Sequence, residues 1–391
     1  MSTSRPPFAI AAYLGVVQFF FALGWTVYVI FLTELLGRAG IDRRWTPWIL
    51  ALDQAIFALA DFAIGIAMDR ARAGLRRIGG VLIGFTAVAS VAMLLMPATT
   101  GFGAPVFLSI TLIWVCTSAA LRAPPYALIG RYAATSSVPS LAGLMLLGMA
   151  VASAMGPYLG LILKGIDPQL PFAAASAAIL LSCIGLVAAE RRLIEAKIEP
   201  PAPAMPLPWY SPTAAALLLA LLLAVFGFQV QSAINAAAQI KRVVDPSLLP
   251  WFMPIFWAGF AFGFLPAEAL GRRLGHARTT GVACIAGALA LASAAHASSS
   301  TNLILAHAGA GFAWAVALCN AFALAAACGH HGAEGRYTGA LLSLIALGTL
   351  ARIAFSLSGT PQASPAASDW IPVAAWSGSA ALLLIFWRRL R

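Results

Sequence analysis

The chain has 391 residues, of which 61% are hydrophobic and 9% charged, with a formal net charge of +11. A soluble domain carries roughly 45–50% apolar and about 25% charged residues, so no soluble core hides this much apolar surface behind so few charges. Most of the apolar runs exceed the roughly 18 residues that span a bilayer, which makes this an all-α integral membrane protein.

Twelve apolar runs follow one another, near residues 8–36, 46–68, 79–97, 105–122, 138–164, 171–189, 212–240, 250–271, 279–297, 302–328, 338–359 and 370–387. The first follows Arg5 and has no small-residue cleavage site behind it, so it reads as a span and not as a removed signal peptide. Between the second and third runs lies a basic hairpin with Arg70, Arg72, Arg76 and Arg77. Clustered Lys and Arg beside a span mark the cytoplasmic side. With the N-terminus inside, the inner segments hold seventeen of the 24 Lys and Arg residues, Arg122 among them. The outer loops hold six: Arg38, Arg43, Arg44, Lys164, Lys241 and Arg242. Arg352 is left inside the eleventh run. The bias puts both termini in the cytoplasm of a multi-pass protein of a bacterial-type inner membrane, and it accounts for the positive charge without nucleic acid.

From Glu190 to Ser211 the composition breaks, with charges first and then Pro200, Pro201, Pro203, Pro206 and Pro208. Repeated proline predicts an extended cytoplasmic linker over 190–211 between a six-span half at 1–189 and another at 212–391. The halves read as distant copies. Gly24-Trp25-Thr26-Val27-Tyr28 matches Gly227-Phe228-Gln229-Val230-Gln231 at an offset of 203, where Pro47-Trp48 also meets Pro250-Trp251. Gly130-Arg131-Tyr132 matches Gly335-Arg336-Tyr337 nearly in step. Two six-span halves related by an axis along the membrane normal are a transporter plan.

Gly65-x-x-x-Asp69-Arg70, followed by glycine and paired arginines, resembles the signature between the second and third helices of the major facilitator superfamily. The glycine that usually follows the aspartate by three residues falls here at Gly74. The second-half counterpart, around Glu268, Gly271, Arg272 and Arg273, lacks the aspartate. The resemblance spans the chain. It implies twelve helices in two pseudo-symmetric halves rocking around a central site, a small-molecule substrate, no cofactor and a monomer among membrane lipids. It gives Gly65, Asp69 and Arg70 the role of holding the inner gate. It places spans one and seven along the cavity, which nominates Gln18, Trp25 and Tyr28 with Gln229, Gln231 and Asn235. Trp314 and Asn320 of span ten join them. Each is equally explained as interhelical hydrogen-bonding glue.

Asp53, Phe57, Asp61, Gly65 and Asp69 recur every four residues and form one slowly drifting stripe. An ionised carboxylate in lipid is costly, so Asp53 and Asp61 should face the protein interior, where taking up a proton removes the cost. That is the physical basis for assigning them to proton coupling; a satisfied structural acceptor is the alternative. Arg352, too far inside its span to snorkel, needs a carboxylate partner or an anionic substrate group. Asp53 is the expected partner, because spans two and eleven approach each other in the family.

Gly148 and Gly156-Pro157-x-x-Gly160 resemble the glycine–proline signature of antiporting members, although small residues also serve plain packing. Met145, Met149, Met93, Met96, Met253 and Cys116 raise a copper-type importer as an alternative, since soft ligands suit copper(I). No histidine–methionine pair at helical spacing supports it, and no metal ligand is assigned; His296, His307, His330 and His331 lie near span ends. The five cysteines sit in apolar runs and read as small buried hydrophobes. No phosphate loop, zinc or serine-hydrolase motif points to an enzyme, although a polytopic membrane enzyme remains the competing class.

The charge bias gives a direct expectation. Reporter fusions should place residues near 75, 200 and 275 inside and residues near 100 and 300 outside. An outside signal at 200 would overturn the two-half reading.

Overall fold

A computed structural model describes residues 7–70, 78–195, 207–329 and 332–389. Arg72, Gly74, Arg76 and Arg77 of the hairpin, linker residues 196–206, His330, His331, Arg5, Lys197 and Arg391 lie outside the described residues. Among the described residues twelve helices are long and apolar enough to cross a membrane. They are α1 Phe8–Arg38, α2 Arg43–Arg70, α3 Gly79–Phe102, α4 Ala104–Gly130, α5 Thr135–Ile162 and α6 Gln169–Glu195 in the first half. The second half has α7 Pro212–Val243, α8 Pro246–Leu274, α9 His276–Ala295, α10 Ser300–Cys328, α11 Glu334–Leu357 and α12 Pro365–Arg389.

Two boundaries differ from expectation for physical reasons. The fourth span was expected to stop at Arg122, but α4 continues past it. A 3₁₀ turn at Ala119–Leu121 leads through Arg122 into the helical stretch Ala123–Tyr132. Pro124 and Pro125 lie in the first turn of that new stretch, where a missing N–H costs least. Pro125 still cannot donate to the Leu121 carbonyl, and the Gln18 amide of α1 does so instead at 2.9 Å. The charged residues Glu190, Arg191, Arg192 and Glu195 were expected to open the linker, but they complete a helix over Leu186–Glu195. Glu190 is 3% exposed, and its carboxylate accepts the Gly79 N–H at the start of α3 at 2.7 Å.

Within the halves, glycine lets backbones touch. A Cβ on Gly148 of α5 would run into Gly15 and Phe19 of α1. The glycine of the antiporter-like signature therefore has a packing role here. Gly311 of α10 packs against Phe256 and Gly259 of α8 against Ala308 in the same way.

The halves meet along α2–α11 and α5–α8. At Gly65 a Cβ would strike the Gly335 carbonyl and lie 3.2 Å from Gly339 Cα. Ser343 Oγ of α11 donates to the Ala58 carbonyl at 2.6 Å. On the other side Ser140 of α5 hydrogen-bonds Glu268 of α8, and Gly143 fits under Phe264. At the inner end Asp69 Oδ1 and Oδ2 accept the Gly335 and Arg336 N–H groups, each at 2.8 Å. These amides open α11, so the carboxylate satisfies orphan donors at the positive end of a helix dipole.

Hydrogen exchange reads this contact. Gly65→Val, which forces α2 off α11, and Asp69→Ala, which removes both acceptors, should each speed exchange of the Gly335 and Arg336 amides by at least about tenfold. Wild-type exchange in both variants would show that the first turn of α11 does not depend on this contact.

Candidate functional site

A cavity of about 370 Å³ lies between the halves, walled by residues of both. Gln18 and Trp25 of α1, Gln229 of α7, Trp314 of α10 and Arg352 of α11 line it. On α7, Gln229 shares the wall with Ser232, three positions on, and α8 contributes Trp257. The walls are aromatic. Trp25 stacks on Trp114 with centroids 5.9 Å apart, and Trp314 stacks on Phe228 at 4.9 Å.

The α2 stripe is real, and its members have different partners. Asp53, 3% exposed, accepts the Tyr28 hydroxyl of α1 at 2.9 Å. Phe57 lies under the Arg122 guanidinium, 4.6 Å from the ring centroid. Asp61, fully buried, takes Arg122 Nε at 3.0 and 3.3 Å. Gly65 and Asp69 then face α11. Four residues turn a helix through roughly 400°, so each step drifts by about 40°. The stripe thereby passes from α1 to α4 and on to the opposite half. Arg70, next to Asp69, is exposed at the end of α2.

Arg122, counted from sequence as an inner-loop residue, is instead a cavity residue, 15% exposed at its side chain and paired inside the membrane region. Arginine followed by Pro124-Pro125 reads as a span end; the signal that could have placed it was the otherwise partnerless Asp61.

Four candidates turn away from the cavity. Tyr28 is fully buried behind Trp25, against Trp114 and Asp53. Gln231 is two positions from Gln229, about 200° around the helix, and the two cannot share a wall. The ladder also widens to a π-turn at Gln231–Asn235. Gln231 Nε2 donates to Gln239 Oε1 at 2.8 Å, beside His307 of α10 at 3.3 Å. Gln239 reaches Asp369 of α12 at 2.9 Å, and Asp369 pairs with Arg242 at 2.7 Å. Asn235 exchanges hydrogen bonds with Ser368 at 2.9 and 2.8 Å. Asn320 binds the Ala267 carbonyl at 3.1 Å and His276 at 2.9 Å, tying α8 and α9 to α10. These four are the hydrogen-bonding glue that lipid-embedded helices use.

Arg352 stands five positions before the end of α11 at Leu357, nearer the outer end than expected. The expected Asp53–Arg352 pair is not formed: Asp53 is held by Tyr28, and Arg352 Nε is buried with no hydrogen-bond partner. The soft-metal candidates divide among several places: Met145 lies in one apolar core with Met149 packed against it, Met93 and Met96 lie in another, Met253 packs beside a third, and Cys116 is exposed.

The family model described as Major Facilitator Superfamily matches residues 14–352. A search of curated proteins gives no match. Among solved structures the chain resembles a bacterial homologue of the iron transporter ferroportin in an outward-facing state, at 12% identity and a TM-score of 0.75, covering 97% of this chain and 100% of that one. It also resembles the human organic anion transporter MFSD10, at 15% identity and a TM-score of 0.70 over 99% and 100% of the chains. A third is the fucose:proton symporter of E. coli, at 13% identity and 0.65 over 99% and 100%. At such identities the likeness is one of fold.

The buried pair yields a stability expectation. Asp61→Asn strands the Arg122 charge and should cost about 3–5 kcal/mol, seen as a large fall in Tm in detergent. Adding Arg122→Gln removes the stranded charge and should recover most of that loss. A double variant no more stable than the single one would mean that the pair does not act as a unit.

Proposed function

The chain belongs to the Major Facilitator Superfamily, and on that premise we propose that it moves a small solute across the inner membrane by proton-coupled alternating access. Residues 1–189 and 212–391 act as the moving halves, joined by a cytoplasmic linker that follows the helical end of α6 at Glu195, with both termini in the cytoplasm. The observation that carries this reading is a cavity walled by both halves, together with a contact between the halves in which Asp69 accepts the amides that open α11. Gly65 and Asp69, with Arg70 beside them, hold that contact, and releasing it opens the cavity to the cytoplasm. A binding preference between the two states then moves cargo without remodelling the fold.

Asp53 and Asp61 carry the coupling. Both are buried carboxylates for which protonation removes the cost of a charge held from water. Asp61 titrates against Arg122, and Asp53 against nothing more than a tyrosine hydroxyl. Asp53 is thus the group whose charge is least compensated. Gln18, Trp25, Gln229, Trp314 and Arg352 form the substrate wall. Arg352, a cavity cation that no carboxylate offsets among the described residues, disfavours a metal cation as cargo, including the copper-type alternative.

Solutes that raise Tm in a thermal-shift screen should accumulate in reconstituted vesicles under an inward proton gradient. Asp53→Asn should abolish that accumulation and keep solute exchange, because the amide stays hydrogen-bonded but cannot titrate. Accumulation that survives collapse of the gradient would defeat proton coupling. Wild-type accumulation in Asp53→Asn would transfer the role to Asp61.

A further inference from the structure

We propose that the cavity binds a flat, singly charged organic acid, with Arg352 pairing its carboxylate and the tryptophans enclosing its apolar body. This rests on the transporter reading above and adds the chemistry of the cargo. Arg352 lines the cavity, yet its Nε is buried without a hydrogen-bond partner. An unpaired guanidinium in a lipid-embedded protein is costly, and a carboxylate matches its planar fork with two parallel hydrogen bonds. Among the described residues no carboxylate supplies that match. Asp53 is committed to Tyr28, Asp61 to Arg122, and neither lies in the cavity wall.

The count of charges sets the charge of the ligand. Arg122 is neutralised by Asp61 at 3.0 Å, so the wall keeps one uncompensated cation among the described residues. The body of the ligand follows from the remaining wall. Trp25 comes from one half, and Trp257 and Trp314 from the other, so both halves present aromatic surface to the cavity. Gln229 adds an amide beside it. At about 370 Å³ the cavity lies at the lower end of the roughly 300–1,000 Å³ of ligand sites. That suits one ring and its acid group, not an oligosaccharide.

Calorimetric titration of the purified full chain tests this with phenylacetate and cyclohexanecarboxylate against their primary amides. The acids should bind at least about tenfold tighter than the amides. Arg352→Gln should remove that advantage and leave the amides unaffected, while Arg352→Lys keeps part of it. Thermal stability without ligand should not fall in Arg352→Gln, because no internal partner is lost. Equal binding of acid and amide, no binding of either, or unchanged acid affinity in Arg352→Gln would overturn the proposal. So would a fall in Tm on that substitution, and tighter binding of the dianion terephthalate would overturn the single charge. Acid binding that follows these rules without proton-driven uptake would leave the cargo standing and defeat the coupling; proton-driven uptake of a neutral solute would do the reverse.

Discussion

A charge withdrawn from water must be matched where it sits, and the arrangement around α2 follows from that constraint. Its carboxylates are matched in three ways. Asp61 has a guanidinium, Asp53 a phenol, and Asp69 the open amides of a helix end. Each match fixes a neighbour: Asp53 fixes α1, Asp61 fixes the interrupted middle of α4, and Asp69 fixes the first turn of α11. The break in α4 belongs to the same logic. Prolines unlink the Leu121 carbonyl, Gln18 takes it up, and Arg122 is delivered to Asp61 by the irregular turn.

Close approach does the rest, because lipid offers helices no hydrophobic reason to associate. Gly65, Gly335 and Gly339 bring α2 and α11 to backbone contact, and without that contact the Asp69 carboxylate would not reach the α11 amides. The contact is polar and small, made of two N–H bonds and glycine packing.

The fold was legible in the sequence because spans, charge bias and repeat are properties of long segments. The α2 stripe was legible for a related reason: a four-residue spacing is a helical face whatever surrounds it. The partners were not legible. Arg122 reads as a span boundary until the helix is seen to run through Pro124 and Pro125. Gln231 and Asn235 look like neighbours of Gln229, yet helix geometry and the π-turn send them to Gln239, His307 and Ser368. Asn320 reads as a polar wall residue and is instead a clamp on the Ala267 carbonyl. The identity of a buried polar residue predicts that it has a partner, not which one.

The separation of partners by half bears on how coupling would work. Asp53 with Tyr28 and Asp61 with Arg122 both lie inside the N-terminal half. The Gly65 and Asp69 contacts cross to the other half, as do those of Ser343 with the Ala58 carbonyl and of Ser140 with Glu268. A direct carboxylate–arginine latch between the halves, as the sequence suggested for Asp53 and Arg352, is not formed in this structure. Arg352 belongs to the C-terminal half and the carboxylates to the N-terminal half, with the cavity between them. On the proposed function, the bound acid is the link that closes this circuit. Its charge satisfies Arg352 on one side, its body rests against Trp25 on the other, and the protonation of Asp53 behind that wall sets the charge it meets. The proton and the cargo are then coupled through occupancy of one cavity, with no need of a bond between the two halves.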